Sequence, residues 1–217
     1  MKSAKEFWDK AAPRYAKRRI RHEEIYHKKL AITQEYLRPD GAVLEFGCGT
    51  GSTAIVHAPH VGHVLATDIS AEMLAIAASK ARDAGIDNID FQQGTLDGLE
   101  LERESFDAVL GLNILHLLED VEATMSRVHA LLKQGGVFVS STALIADIAF
   151  YWRWLIPVLQ RLGFAPYVKC LDKQALVSLL TSAGFSIEYE WQPTKASLFL
   201  IARKRAEPAC CQGGERR

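Results

Sequence analysis

The segment from Val43 to Ser52, which reads Val-Leu-Glu-Phe-Gly-Cys-Gly-Thr-Gly-Ser, constrains the fold of this chain more than any other feature. Apolar residues precede three glycines at alternating positions, and a helix-compatible stretch follows. Glycines at this spacing leave the backbone bare where a buried strand turns sharply into a helix, so that a ligand can approach closely. Asp68 ends a second apolar run about 20 residues after the first glycine, where a carboxylate can accept hydrogen bonds from both ribose hydroxyls. Together these features predict a nucleoside cofactor.

Composition sets the class of protein. The 217 residues contain 26 basic and 26 acidic side chains, so no global charge favours binding to nucleic acid. No apolar run reaches the roughly 18 residues that span a bilayer, and no apolar leader follows Met1. The four cysteines show no paired metal-ligand spacing, which argues against a disulfide framework and a metal site. We therefore expect a cytoplasmic globular protein.

Apolar segments of strand length alternate with segments of helix length, which predicts right-handed crossovers and a mainly parallel sheet with helices on both faces. The predicted strands are 42–46, 61–67, 89–92, 106–112, 137–142, 185–190 and 197–203, the last two forming an antiparallel-containing edge pair. The predicted helices are 3–19, 23–37, 50–58, 71–83, 121–132 and 172–183.

Five motifs occur in order and at workable spacing. They are Val43–Gly51, Thr67–Ser70 followed by Met73 and Leu74, Gln93–Leu96, Ser105–Val109 leading to Asn113–His116, and Leu131–Gly136. With them the chain resembles the class I S-adenosylmethionine-dependent methyltransferases over about residues 40 to 142, with a weaker match to residue 204. The resemblance implies a Rossmann-like seven-stranded α/β sheet whose last strand is antiparallel. It also implies methyl transfer from S-adenosyl-L-methionine to a small-molecule acceptor, release of S-adenosyl-L-homocysteine, and no metal.

The same resemblance divides the chain into parts. We expect one domain over 1–206, made of an N-terminal helical lid at 1–38, a cofactor-binding core at 40–142, a helical cap insertion after the fifth strand at 145–168, and a C-terminal helix and strand pair at 172–204. Residues 207–217 are expected to form a disordered tail.

The cofactor residues follow from the motifs. Glu45 is expected to meet the cofactor's amino group, and Asp68 its ribose hydroxyls. Ile69 and Met73 flank the adenine, and Leu96 covers its other face. Where the family often has an acidic residue this chain has Thr95, so the adenine amino group meets its hydroxyl or the neighbouring backbone. The further cofactor-binding candidates are Gly47, Cys48, Gly49, Gly51, Thr53, Gly94, Asn113, Ile114, Trp8, Tyr15, Tyr26 and Lys29, with Tyr26 and Lys29 placed to reach the cofactor carboxylate.

His116 and Tyr15 are the candidate catalytic residues. His116 follows the fourth strand and acts as a general base, orients the acceptor, or only stabilises its loop. Trp8 and Tyr15 either close over the site and exclude water or pack on the edge of the sheet. Methyl transfer can also proceed by proximity and in-line orientation without a base.

Two other functions are weighed against methyl transfer. A nicotinamide-dependent oxidoreductase requires glycine at the sixth position of its fingerprint, where this chain has Ser52, and Glu45 is a poor neighbour for a pyrophosphate. A regulatory protein that binds S-adenosylmethionine without turnover stays open.

Three features leave their roles open. The basic run Lys17–His22 is either a solvated helix end or a patch for an anionic acceptor or phospholipid headgroup. The aromatic insert Ile145–Pro166 either caps an apolar or amphipathic acceptor pocket or serves as core, dimer face or peripheral membrane contact. His57, His60 and His63 are expected to form a surface cluster without metal geometry. Monomer and homodimer are both compatible with the sequence.

Overall fold

The computed structural model describes residues 4–20, 22–144 and 167–205. Most of the predicted cap insertion and the predicted tail lie outside these ranges. The strands are β1 Ala42–Phe46, β2 His63–Asp68, β3 Ile89–Gln93, β4 Phe106–Leu112, β5 Leu132–Ala143, β6 Phe185–Thr194 and β7 Ser197–Lys204. The helices are α1 Ala4–Ala16, α2 Glu23–Gln34, α3 Ser52–His57, α4 Ala71–Asp83, α5 Val121–Leu131 and α6 Lys173–Ser182, with short 3-10 helices at Ala58–His60 and Leu115–Leu117.

The described strands form one seven-stranded sheet in the order β3-β2-β1-β4-β5-β7-β6. Strands β1 to β5 pair in parallel, whereas β7 runs antiparallel to both β5 and β6. This is the predicted Rossmann-like arrangement with an antiparallel last strand. The strand order reverses between β1 and β4, which is where sheets of this kind bind ligands beyond their carboxyl ends.

Side chains from the central strands are buried on both faces of the sheet. Leu44, Val109 and Phe138 belong to one apolar cluster, whereas their neighbours Val43 and Leu110 belong to the other. Because parallel strands are covered by helices on both sides, such strands read as continuous apolar runs rather than alternating ones. The apolar runs that predicted the strands therefore reflect burial of both sheet faces.

The fifth strand departs from its predicted bounds. It starts at Leu132, not at residue 137, and it includes the glycine-containing segment that was expected to be a turn. Phe106 pairs with Leu132 and Ala108 pairs with Val137, so the segment between these partners bulges out of the ladder, with Gly135 at a φ of 73°. The glycines that were expected to form a turn between helix and strand instead form a bulge within the strand.

The predicted surface cluster of histidines is wrong for one member. His57 at the end of α3 is fully buried, and neither ring nitrogen has a hydrogen-bond partner in the structure. Burial lowers the pKa of His57 to about 4, so its ring is neutral at physiological pH. His60 is exposed, and His63 forms an exposed pair with Asp90.

Candidate active site

The glycine turn between β1 and α3 has a left-handed backbone at alternating positions. The φ angles of Gly47, Gly49 and Gly51 are 65°, 55° and 70°. A side chain on Gly49 would lie 3.9 Å from the Tyr15 ring and would meet no other atom within 4 Å. The backbone at Gly49 is therefore open to a ligand, as the sequence predicted for a cofactor turn.

The other two glycines have packing roles in addition. A Cβ on Gly47 would lie 2.7 Å from the Ile114 side chain, and a Cβ on Gly51 would lie 2.7 Å from the Cβ of Ala77 in α4. Gly47 lines the site, but Gly51 does not. Gly51 thus allows the turn to approach α4 closely. Its contribution to the site is indirect, whereas the sequence predicted a direct contact with the cofactor.

Two cavities open at the carboxyl ends of the strands on either side of this turn. The first cavity has a volume of about 490 Å³ and the second about 570 Å³. They are adjacent, since five residues line both: Tyr15, Gly47, Gly49, Leu112 and Asn113. Each falls within the usual size of a small-molecule site.

Asp68 provides the polar anchor of the first cavity. Its Oδ2 accepts a hydrogen bond from the backbone N–H of Gly49, and its Oδ1 accepts one from that of Ser70, both at 2.9 Å. Burial raises the pKa of Asp68, and these backbone hydrogen bonds act in the opposite direction. A carboxylate has about four lone-pair positions, so after the backbone hydrogen bonds from Gly49, Ser70 and Ile69 it can still accept from a ligand hydroxyl.

Apolar side chains surround the rest of the first cavity. Ile69, Met73 and Leu96, the predicted adenine neighbours, all line it. Gly94 and Thr95 also line it, but the Thr95 hydroxyl accepts a hydrogen bond from the Gly98 N–H at 3.1 Å. The sequence did not predict several other lining residues, because no motif includes them: Asp97, Leu117, Leu118, Glu119, Asp120, Thr124 and Tyr167.

Helix α1 covers the first cavity. Trp8 and Tyr15 both line it, with their rings edge to face at 6.3 Å between centroids. The helix is tied to the core by Asp9, whose Oδ1 accepts a hydrogen bond from the Ser70 hydroxyl at 2.7 Å. The hydrogen bond from Lys5 and then that from Ser70 lower the pKa of Asp9. The sequence named the aromatic residues of this lid but gave Asp9 no role.

A buried carboxyl group marks the second cavity. Glu45 is 3% exposed, and its Oε2 has no hydrogen-bond partner in the described structure. Burial first, and then the charge of Asp68, raise the pKa of Glu45 to about 8. Glu45 thus needs a partner, and a ligand cation such as an amino group supplies one.

Other predicted cofactor residues line the same second cavity, namely Cys48, Thr53, Tyr26 and Lys29. The Tyr26 hydroxyl is hydrogen-bonded to Thr53, while burial raises the pKa of Tyr26. Burial raises the pKa of Cys48 well above its ordinary value, so this thiol is a packing group and not a nucleophile.

Lys29 reaches across the second cavity to the far strands. Its Nζ donates a hydrogen bond to the Ser141 hydroxyl in β5 at 2.7 Å, and it lies 3.4 Å from the Ser197 hydroxyl at the start of β7. Burial lowers the pKa of Lys29. Its predicted role, contact with the cofactor carboxylate, stays a prediction.

The segment after β4 contains the predicted base. Asn113 lines both cavities with a φ of 57°, and its N–H donates to the Ser141 carbonyl at 2.6 Å. Ile114 lines the first cavity, whereas His116 lines neither. The Nδ1 of His116 is buried without a partner in the described structure, and burial lowers the pKa of this ring. The observed position therefore gives His116 no contact with a ligand in these cavities.

The site suits a nucleoside cofactor. It has open backbone at Gly49, free lone pairs on Asp68, and apolar side chains on both sides of the space between them. Within residues 4–20, 22–144 and 167–205, no three His, Cys, Asp or Glu side chains are grouped to hold a metal ion. No helix in those ranges is long and apolar enough to cross a membrane.

Comparison with known proteins agrees with this geometry. A family model described as a methyltransferase domain matches residues 43–136. The chain is 32% identical over 180 residues to the ubiquinone/menaquinone biosynthesis C-methyltransferase UbiE of Coxiella burnetii, and the match covers 73% of this chain and 72% of UbiE. The chain belongs to the class I S-adenosylmethionine-dependent methyltransferases.

This methyltransferase is also 34% identical over 110 residues to the uncharacterized methyltransferase YcgJ of Bacillus subtilis, a match that covers 51% of this chain and 44% of YcgJ. The crystal structure of YcgJ superposes with a TM-score of 0.70 at 19% identity, covering 83% of this chain and all of the YcgJ chain. The [4+2]-cyclase SpnF has a similar fold, with a TM-score of 0.68 at 19% identity over 83% of this chain and 81% of its own.

Proposed function

We propose that the methyltransferase binds S-adenosylmethionine across both cavities and transfers its methyl group to a small-molecule acceptor. The observation that carries this proposal is the connection of the two cavities across Gly47, Gly49 and Asn113. A donor held by Asp68 in the first cavity and by Glu45 in the second then spans the region where the two cavities meet. The volumes of about 490 and 570 Å³ suit small molecules and not a polymer.

Residues of both cavities bind and orient the donor. Asp68 accepts from the ribose hydroxyls, Ile69 and Met73 hold the adenine, and the bare backbone of Gly49 permits close approach. Glu45 and Tyr26 face the amino-acid part, with Glu45 pairing the amino group. When bound, the cofactor supplies an electrophilic methyl group on a sulfonium.

Proximity accounts for the transfer step. The residues around the junction of the two cavities would hold the acceptor's nucleophilic atom against the bound cofactor, which would supply the methyl group and keep the electrons of the broken carbon–sulfur bond, and the proton that the acceptor loses would pass to solvent. Trp8 and Tyr15 on α1 cover the reacting atoms and exclude water. Because the predicted base His116 lines neither cavity, we propose catalysis by in-line orientation without an obligatory protein base.

Calorimetry followed by an acceptor screen tests this function. We expect S-adenosylmethionine and S-adenosylhomocysteine to bind with one site per chain, and labelled methyl to pass to an acceptor in a panel that includes quinol precursors, because UbiE is a relative. Binding of both nucleosides without transfer to any acceptor would favour the binding protein without turnover. Binding of a nicotinamide dinucleotide in place of both nucleosides would overturn the proposal.

The surroundings of the reaction remain predictions from the sequence. An apolar or amphipathic acceptor is favoured by the aromatic insert at 145–166, which lies outside the described residues. A cytoplasmic location, the choice between monomer and homodimer, and a peripheral membrane contact likewise rest on composition and on the basic run.

A further inference from the structure

The junction of the two cavities is the place that a donor spanning them must cross. In S-adenosylmethionine the sulfonium lies between the amino-acid part and the ribose. Under the proposed function the amino-acid part pairs with Glu45 in the second cavity, and the ribose pairs with Asp68 in the first. The sulfonium then lies at the junction, which is lined by the five residues common to both cavities: Tyr15, Gly47, Gly49, Leu112 and Asn113.

The five junction residues carry no charge. Two are glycines, Leu112 is apolar, and Asn113 has a neutral amide. Among the described residues, carboxyl groups line the cavities on either side of the junction, as Glu45 and Asp68 do, but none lines both cavities. The only aromatic ring at the described junction is that of Tyr15, so this ring is the group best suited to stabilise a positive charge there.

The Tyr15 ring is available for such a contact. Tyr15 lies near the end of α1 and is 44% exposed, and its Cε1 atom is 3.9 Å from the position of a Cβ on Gly49. Trp8 packs against it edge to face, with ring centroids 6.3 Å apart. Asp9 ties the same helix to the core through the Ser70 hydroxyl. The ring is therefore held beside the glycine turn, but protein atoms do not bury it.

An aromatic ring attracts a cation because its π-electrons make the face of the ring negative. The attraction acts on a ligand cation within about 6 Å of the ring centroid, and it is stronger where water is excluded. A carboxylate at the same place would attract the cation too, but it would be left as an unpaired charge in a closed site once the ligand is neutral. A ring can therefore distinguish a charged ligand from a neutral one without that cost.

We propose that the Tyr15 ring contacts the sulfonium and makes the site prefer the charged donor over the neutral product. This inference rests on the proposed function and adds a specificity-determining residue to it. Because the sulfur of S-adenosylhomocysteine carries no charge, the ring contributes less to the binding of the product. Tyr15 thus has a role beyond covering the site, since it favours the exchange of product for donor.

Titration calorimetry with both nucleosides tests this role. The measured quantity is the dissociation constant of S-adenosylhomocysteine divided by that of S-adenosylmethionine. We expect Tyr15→Leu, which removes the ring, to lower this ratio about fivefold, and we expect Tyr15→Phe, which keeps the ring, to change it less than about twofold. Pentafluorophenylalanine at position 15 keeps nearly the same shape but reverses the charge distribution of the ring, so it should lower the ratio at least as much as leucine does.

Tyr167→Leu is the matched control, since Tyr167 is also 44% exposed and lines the first cavity but not the junction. It should leave the ratio as it is in wild type. An equal weakening of both nucleosides by Tyr15→Leu would overturn the proposal, as would a wild-type ratio in the pentafluorophenylalanine variant. Failure of wild type to bind either nucleoside would instead reject the proposed function.

Discussion

The protein holds the Asp68 carboxylate in a fixed orientation before any ligand binds. Two backbone N–H groups, from Gly49 and Ser70, hold its oxygens in place at the end of β2. The carboxylate is thereby oriented toward the first cavity with lone pairs left over. The proposed ribose contact therefore needs no rearrangement of the side chain.

Replacing Asp68 with alanine should weaken binding of S-adenosylhomocysteine by about 1–3 kcal/mol, because two hydrogen bonds to a charged acceptor are lost. Calorimetry on the wild type and Asp68→Ala measures this difference. Asp68→Asn, which keeps the shape of the side chain, should fall between them. Unchanged affinity in Asp68→Ala would remove Asp68 from the binding site.

Glu45 makes the stability of the cofactor-free protein depend on pH. Its pKa is raised from the usual 4.5 to about 8 in the folded chain, so the native state holds a proton that the unfolded chain releases. The stabilising effect of that proton is fully present below about pH 4.5 and is lost as the pH rises through about 8. Above that pH an unpartnered charge is buried.

Glu45→Gln should therefore leave the free energy of unfolding of the cofactor-free protein nearly unchanged at pH 5 and increase it by roughly 2–5 kcal/mol at pH 9. Urea unfolding at both pH values measures the difference from wild type. Exposed Glu35 provides the control, because Glu35→Gln should have the same small effect at both. A difference for Glu45→Gln that does not change with pH would contradict the interpretation.

At the scale of elements, Ser70 links helices α1 and α4 through hydrogen bonds. The Ser70 hydroxyl accepts from the Met73 N–H as the N-cap of α4, and it donates to Asp9 in α1. Ser70 also bonds Asp68 through its own N–H. Helix α1, the start of α4 and the Asp68 carboxylate are therefore all hydrogen-bonded to one residue, Ser70.

Asp9→Ala removes the anchor of the lid but leaves the cap of α4 intact. We expect faster amide hydrogen exchange across residues 4–16, and unchanged exchange in α6 of the same molecule. Ser70→Ala should show the same faster exchange and also lose about 1 kcal/mol of stability through the missing cap. Protection of α1 that is equal in Asp9→Ala and wild type would mean that Asp9 does not hold the lid.

The turn between β1 and α3 offers a second test at this scale. Gly51 and Gly85 have nearly the same φ, 70° and 68°, but only Gly51 has a close neighbour, Ala77, at 2.7 Å from an added Cβ. Gly85→Ala should cost about 1 kcal/mol for backbone strain alone, and Gly51→Ala a further 1–3 kcal/mol for overpacking. Equal losses in chemical denaturation would show that the contact with α4 is unimportant.

The elements differ in how well the sequence predicts them. The parallel strands are predictable because a strand that is buried on both faces has a continuous apolar sequence, as in Phe106–Leu112. The extension of β5 back to Leu132 is not, since a bulge and a turn require the same residues. Nor is the burial of His57, because the helix face that carries it is defined only by packing.

At the scale of the whole molecule, the two halves of the site are encoded differently. The first cavity is lined mainly by short motifs after β1 and β2, so many of its residues are neighbours in sequence and were predicted individually. The second cavity combines α2 with β5 and β7, which are more than one hundred residues apart, as in the Lys29 to Ser141 bond. No local sequence pattern predicts such a pair, because the fold alone brings Lys29 and Ser141 together.

The lining shared by the two cavities has a kinetic consequence. Since Tyr15, Gly47, Gly49, Leu112 and Asn113 border both spaces, a donor that spans the two cavities, as we propose, would form one side of the position that the acceptor takes. Steady-state kinetics should then follow a compulsory order, with the nucleoside entering first and leaving last. S-adenosylhomocysteine should inhibit competitively against S-adenosylmethionine and non-competitively against the acceptor. A random order without abortive complexes would instead make it competitive against the acceptor as well.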